Sequence, residues 1–299
     1  MKYDLIIVGG GPAGIAAGIY AARKKLRTAL LSADFIGQVG LSGQVENWPG
    51  EISVKGAELI DKFAQHLRAQ NIDMLEQSVE SIRQIEGGFL VGAEDMQYRT
   101  STVLLATGRI PKQLNVPGEK KYTGKGVVYC TTCDAPVYQD KQVLVVGGGN
   151  YGFSSAIELT DYAATVTLVE RADSVTADEI LRDRAYQAGV NVRSGLSVAE
   201  IVGDDYVHTV KLSDGSTLAV DGVFVDIGST AQTDIVPDDV ELNGAKEIVI
   251  DPRTNQTSVQ GCYAAGDATD IRDKQIVVAA AEGAKAALSI YDHLRAPGH

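Results

Sequence analysis

The chain is short of the residues that most often build metal centres and covalent scaffolds. Its 299 residues include three cysteines, four histidines, three methionines and one tryptophan. A structural zinc ion asks for four ligands, commonly two cysteine pairs or a cysteine pair with a histidine pair. Apart from Cys130 and Cys133 the one sulfhydryl is Cys262, and His66, His208, His293 and His299 show no paired spacing. A chain of this length also builds a core without a structural disulfide. Basic residues are outnumbered, 27 Lys and Arg against 39 Asp and Glu, for a net charge of −12 and a pI near 4.8. That balance argues against nucleic acid and anionic membrane as main partners. No run of about 18 apolar residues is long enough to span a bilayer. The opening residues, Met1 to Val8, enter a strand at once instead of a secretory leader, so the expected location is cytoplasmic.

What the chain does have is glycine, 32 residues of it, and much of it falls in two equivalent patterns. Asp4 to Val8 reads as a buried strand. Gly9-Gly10-Gly11-Pro12-Ala13-Gly14 follows, and then an alanine-rich helix over Ile15 to Lys24. Gly9 permits the tight turn, Gly11 the close approach of a pyrophosphate, and Gly14 close helix–strand packing, with phosphates facing the helix N-terminus. The next strand, Thr28 to Ser32, ends where a ribose is read, and its tip offers Ser32 and Asp34. Gly147, Gly149 and Gly152 repeat the pattern 138 positions later, between the strands Gln142–Val146 and Thr165–Glu170, with a helix from Phe153.

Between the two fingerprints stands Tyr129-Cys130-Thr131-Thr132-Cys133-Asp134. Two cysteines separated by two residues close a small loop, so oxidation and reduction need little backbone movement. Asp134 is placed to exchange a proton with a departing thiolate. Cys262 lies in an apolar strand-like run, Val259 to Ala265, and reads as a buried, inert thiol.

The rest of the chain supplies ordinary elements. Lys55 to Gln70 has helical periodicity, with Leu59, Phe63 and Leu67 four apart. Strands are expected around Met74–Ile85, Phe89–Val91 and Thr102–Ala106, a polar linker over Asn115–Gly124, a meander over Leu196–Val225, and a closing helix from Gln275 to Leu294.

The second ribose-reading position is Glu170, followed by Arg171-Ala172-Asp173. A carboxylate there binds a 2′-hydroxyl and repels a 2′-phosphate, which Arg171 offsets only in part. The local residues favour NAD over NADP, or neither.

In this order, Gly9–Gly14, Val45-Glu46-Asn47-Trp48-Pro49-Gly50, Ala106-Thr107-Gly108, the Cys130–Asp134 dithiol with its acid, Gly147–Gly149 and Ala265-Gly266-Asp267 resemble the low-molecular-weight thioredoxin reductases. The resemblance spans the chain. It implies an α/β fold of two Rossmann-like three-layer (ββα) nucleotide-binding domains, the second inserted in the first. An FAD-binding domain would take residues 1–113 and 243–299, and a pyridine-nucleotide-type domain carrying the dithiol residues 114–242. It also implies a homodimer with thioredoxin as partner, and catalysis by Cys130, Cys133 and Asp134. FAD would lie against Gly9, Gly11, Pro12, Ala13, Gly14, Ser32, Gln44, Asn47, Ala106, Thr107, Gly108, Gly266, Asp267, Lys274, Gln275 and Ile276, with Asp267 at the ribityl–phosphate region.

The chain departs from the family's NADPH-using members. They carry a histidine and two arginines where this chain has Glu170-Arg171-Ala172, and a further arginine where it has Thr176. They carry two acids early in the second fingerprint helix, where Tyr151 and Phe153 here add bulk beside the expected nicotinamide path. Their Arg-Gln is Lys274-Gln275. These departures resemble a branch such as the ferredoxin-dependent flavin thioredoxin reductases. An NADH-dependent thioredoxin reductase, an FAD-dependent dithiol oxidase using oxygen, and a non-catalytic redox-sensing flavoprotein stay open as alternatives.

Overall fold

The structure, a computed structural model, describes residues 2–41 and 44–296, without the side chains of Lys2, Leu41 and Gln44. It divides into two compact units, one of residues 1–40, 56–110 and 230–299, the other of residues 41–55 and 111–229. The family resemblance implies breaks at 113/114 and 242/243, with 41–55 in the first domain. The hairpin Gln44–Val45/Val54–Lys55 instead goes with the dithiol-bearing unit.

The first unit is built on a mixed sheet of seven strands. Asp73–Glu76, Thr28–Ser32, Lys2–Val8 and Met96–Leu105 run parallel in that order, and Cys262–Ala264 joins Met96–Leu105 in parallel. Leu5, Ile6, Ile7 and Val8 are all buried, because a parallel strand covered on both faces reads as a continuous apolar run. Gly88–Ala93 and Val79–Ile85 extend the sheet antiparallel. On one face Ile6, Val8, Leu31, Phe89, Val91, Val103 and Leu105 share a core with Ile248 and Val259. The helix Pro12–Arg23 packs against the closing helix Ile276–Arg295 through small residues: a Cβ on Gly283 would sit 1.9 Å from the Ala13 carbonyl oxygen.

The second unit has the same plan with an all-parallel centre. Its order is Val127–Val128, Gly222–Val225, Gln142–Val146, Thr165–Glu170 and Asn191–Ser194. Phe153, Ala156 and Leu159 of the helix Asn150–Leu159 cover one face with Val143, Val145 and Leu168. The antiparallel strands Val198–Gly203, Val207–Leu212 and Thr217–Ala219 cover the other, over Leu144, Val146 and Val169. Sheet, helices and antiparallel layer give each unit the three layers expected of a Rossmann-like nucleotide-binding domain.

Three local readings change. Gly222–Val225 is not part of the meander; all its residues are buried and it pairs between two parallel strands. The expected polar linker contains the short helix Glu119–Tyr122. There the buried Glu119 carboxylate accepts the Leu114 and Asn115 amides at 2.8 and 2.7 Å and the Tyr129 hydroxyl at 2.9 Å. The helix Glu179–Gln187 went unforeseen because among its residues only Ala185 is buried, which leaves almost no apolar stripe to read.

Candidate functional site

The two fingerprints fold into two copies of one turn. Gly9 and Gly147 both have positive φ, +115° and +132°, and a Cβ would strike the carbonyl oxygen of Ala106 in one unit and of Asp226 in the other, at 2.2 and 2.5 Å. Only glycine fits either place. A Cβ on Gly14 or Gly152 would lie 1.9 or 2.0 Å from the oxygen of Gly9 or Gly147, so each helix is seated directly on its own turn.

The first turn has the form of a phosphate cradle. Around the Cβ position of Gly11 no heavy atom of the other described residues lies within 4 Å, so the backbone there is open to close approach. The helix begins with Pro12 in its first turn, has no acidic residue there, and has no side chain capping Gly11. Its unpaired N–H groups are therefore available to an anion. Ser32 at the strand tip accepts the Gly10 amide at 2.9 Å and donates to the Asp34 carbonyl. The Asp34 carboxylate in turn caps Ile36 and Gly37.

Ala106, Thr107 and Gly108 follow the Met96–Leu105 strand. The Ala106 amide bonds Val8, and Thr107 and Gln232 exchange hydrogen bonds at 2.7 Å. Gly266 has φ +78°, with Ala13 and Ala279 close to its Cβ position. Beside it, burial raises the Asp267 carboxyl above the usual range, and the charges of Lys274 and Arg109 act against that rise. Glu247 holds both cations, Arg109 at 2.5 Å and Lys274 at 3.3 Å. Gln275 is the N-cap of the closing helix and Ile276 its first residue.

Gly9, Gly11, Pro12, Ala13, Gly14, Ser32, Ala106, Thr107, Gly108, Gly266, Asp267, Lys274, Gln275 and Ile276 thus belong to one unit. Asn47 belongs to the other, where it is exposed. The Gln44 side chain lies outside the described residues. An open glycine turn, a helix N-terminus without a side-chain cap and the half-buried acid Asp267 suit a dinucleotide such as FAD.

In the second turn Glu170 takes the place of Ser32. Its carboxylate accepts the Gly148 amide at 2.6 Å and the Ala172 amide at 2.9 Å. Asn150, the first residue of the helix, exchanges hydrogen bonds with Asp178 at 3.0 and 2.8 Å. Tyr151 is 80% exposed, whereas Phe153 is wholly buried in the helix-side core. The expectation that Phe153 adds bulk to the nicotinamide path is therefore corrected: its position faces the sheet.

Cys130 and Cys133 form a disulfide, with Cα atoms 5.3 Å apart, around the single turn Thr131–Asp134. Asp134 is buried, and burial pushes its carboxyl up to about 7. Both threonines between the sulfurs are tethered. Thr131 Oγ1 donates to Asp226 Oδ2 at 3.4 Å, and Thr132 Oγ1 donates to Glu158 Oε2 at 3.3 Å. Sequence reasoning missed Asp226 and Glu158. The available signal was position: Asp226 follows the inner strand Gly222–Val225 at its carboxyl end, where open α/β sheets place ligands and reactive groups. Cys262 is fully buried, its thiol pushed up to about 12 by burial.

A family model described as pyridine nucleotide-disulphide oxidoreductase matches residues 3–283. The F component of the alkyl hydroperoxide reductase of Staphylococcus aureus (strain Mu50 / ATCC 700699) is 39% identical over 307 residues, covering 98% of this chain; the chain spans 59% of that protein's length. Among solved structures, the thioredoxin reductase from Streptococcus pyogenes MGAS5005 is 36% identical, with a TM-score of 0.93 and 98% of each chain covered. A ferredoxin-flavin thioredoxin reductase from Clostridium acetobutylicum is 31% identical, with a TM-score of 0.54 and 98% of each chain covered.

Proposed function

Because this chain belongs to the pyridine nucleotide-disulphide oxidoreductase family and is an FAD-dependent, thioredoxin-reductase-like oxidoreductase, we propose that it passes electrons through Cys130 and Cys133 to the disulfide of thioredoxin, from a donor other than NADPH. The observation that carries this reading is the closed Cys130–Cys133 disulfide with Asp134 buried beside it. On this reading the first unit is the FAD domain, the second a pyridine-nucleotide-type domain, and the enzyme a cytoplasmic homodimer. No helix among the described residues is long and apolar enough to cross a membrane.

FAD, when bound, supplies two electrons. The Cys130–Cys133 bond takes up two electrons and two protons to become two thiols. One loses its proton and attacks a sulfur of the partner disulfide, which makes a mixed disulfide and releases one partner thiolate. The second cysteine then attacks the mixed disulfide, so that Cys130–Cys133 closes again and the partner leaves as a dithiol. Asp134, with its carboxyl raised to about 7, can both give and take a proton near neutral pH.

The donor reading rests on Glu170, whose charge sits where a 2′-phosphate would be read. A ferredoxin-like protein ranks first, since it can deliver electrons without entering that groove; NADH ranks second and NADPH third. A second reading is favoured by the 39% identity to a component of an alkyl hydroperoxide reductase. It would send the same electrons into alkyl hydroperoxide reduction. Anaerobic flavin reduction by NADPH, NADH and reduced ferredoxin, followed by thiol release from oxidised thioredoxin, tests the proposal. Rapid bleaching by micromolar NADPH overturns the donor ranking, and a reduced enzyme that leaves thioredoxin oxidised overturns the acceptor.

A further inference from the structure

Thr131 and Thr132 are the whole of the span between the two sulfurs, and each is held by a carboxylate on a different element. Asp226 follows the inner strand Gly222–Val225, and its backbone is fixed twice. Its amide donates to Val146 at 2.9 Å, and its carbonyl oxygen is the atom that forbids a side chain at Gly147. Glu158 and Ser155 lie on one face of the helix Asn150–Leu159, three residues apart. Ser155 also hydrogen-bonds the Asp226 carboxylate. Thr131 and Ser155 are both buried. In the first unit the equivalent place is Ala106, so a carboxylate is not required by the turn itself.

We propose that Asp226 is a positioning residue for the dithiol: through Thr131 it fixes the span between Cys130 and Cys133, and its charge sets how readily the reduced cysteines ionise. The inference rests on the reading of this pair as the redox dithiol. The groups that face Asp226 are Thr131 from the dithiol turn and Ser155 and Glu158 from the helix, and Glu158 is the charged one. Burial is the larger cause and the Glu158 charge a smaller one in raising the Asp226 carboxyl to about 6, while the two hydroxyls hold it down. Above that pH the carboxylate is ionised one hydrogen bond away from the residue next to Cys130. A like charge at that range opposes formation of a thiolate. Below it the charge is gone while the tether can persist, since a protonated carboxyl still accepts from Thr131.

The test uses the intact FAD enzyme reduced with dithiothreitol, which transfers two electrons and two protons to the disulfide and closes to its own cyclic disulfide. Iodoacetamide then alkylates the thiolates, forming a carbon–sulfur bond and releasing iodide. The rate is followed against pH for each cysteine by mass spectrometry. Asp226→Asn keeps the shape and an acceptor for Thr131 but removes the charge. The expected result is a downward shift of the ionisation midpoint, with alkylation at pH 7 faster by about three- to tenfold. A curve that superimposes on the wild type overturns the proposal. Should Asp226→Asn fail to fold, Thr131→Val and Thr131→Ser decide it. The serine variant keeps the wild-type midpoint and the valine variant moves it; equal curves for the two overturn the proposal. If the wild-type pair takes up no label after reduction, the dithiol reading itself falls, and this inference with it.

Discussion

Ser32 and Glu170 hold the same place in two copies of one turn: each side chain accepts the amide of the middle glycine, Gly10 at 2.9 Å and Gly148 at 2.6 Å. One is a neutral hydroxyl and the other a carboxylate. A strand tip that ends in a hydroxyl is indifferent to nearby phosphate, while one that ends in a fixed negative charge discriminates against it.

The donor preference should follow from that charge. Loss of a bidentate arginine contact and gain of a like charge together cost a few kcal/mol, or on the order of a hundredfold in NADPH affinity. Glu170→Gln is expected to bind NADPH about fivefold or more tightly than the wild type. Equilibrium titration of the oxidised enzyme measures this, and equal affinities would remove the charge argument.

FAD retention should depend on Gly14 and not on Gly152. In Gly14→Ala the new methyl meets the Gly9 carbonyl at 1.9 Å, which pushes the helix off the open phosphate turn. The purified variant is expected to lose most of its absorbance near 450 nm. Gly152→Ala makes the same clash at 2.0 Å in the other unit and should keep its flavin. Loss of flavin from both variants alike would contradict the assignment of FAD to the first unit.

Cys133→Ser should retain FAD and lose reduction of protein disulfides by at least about a thousandfold, because no second sulfur remains to resolve a mixed disulfide. Wild-type turnover with thioredoxin in this variant would exclude the pair as the relay.

Asp134 predicts a pH dependence of both stability and rate. Its carboxyl rises from the ordinary value of about 3.9 to about 7 because burial disfavours the charge. The folded protein therefore holds a proton that the unfolded chain has lost, and stability contributed by the neutral form falls as pH climbs from about 4 to about 7. Asp134→Asn should flatten that slope in urea melts taken at a series of pH values. It should also remove an inflection near neutral pH from the turnover profile. A melt series with the wild-type slope would show that another group is responsible.

The strands and glycine turns were legible in the sequence because their constraints are local. The strands Thr28–Ser32, Gln142–Val146 and Thr165–Glu170 fall where the apolar runs put them. Gly9 and Gly147 mark turns, and Gly14 and Gly152 the helix seats against them, that no other residue fits. What escaped notice depends on contacts distant in sequence. Asp226 meets Thr131 across 95 positions. Gly222–Val225 carries the pattern of a meander strand but pairs with Gln142–Val146 because it is apolar on both faces. Phe153 looks like an obstruction beside a glycine turn, yet its place on the helix turns it towards the sheet.

The burial of Cys262 gives the protein a convenient arithmetic of electrons. A thiol with no exposed surface, held in its neutral form, reacts neither with alkylating agents nor with peroxide on ordinary timescales. In the native enzyme every sulfhydryl that an aqueous reagent can count therefore comes from Cys130 and Cys133. The number of labelled sulfurs per chain, none or two, reads the redox state of the dithiol directly, separately from that of the flavin. A third label appears only when the strand Cys262–Ala264 has come away from its sheet, so one reagent distinguishes reduction from unfolding.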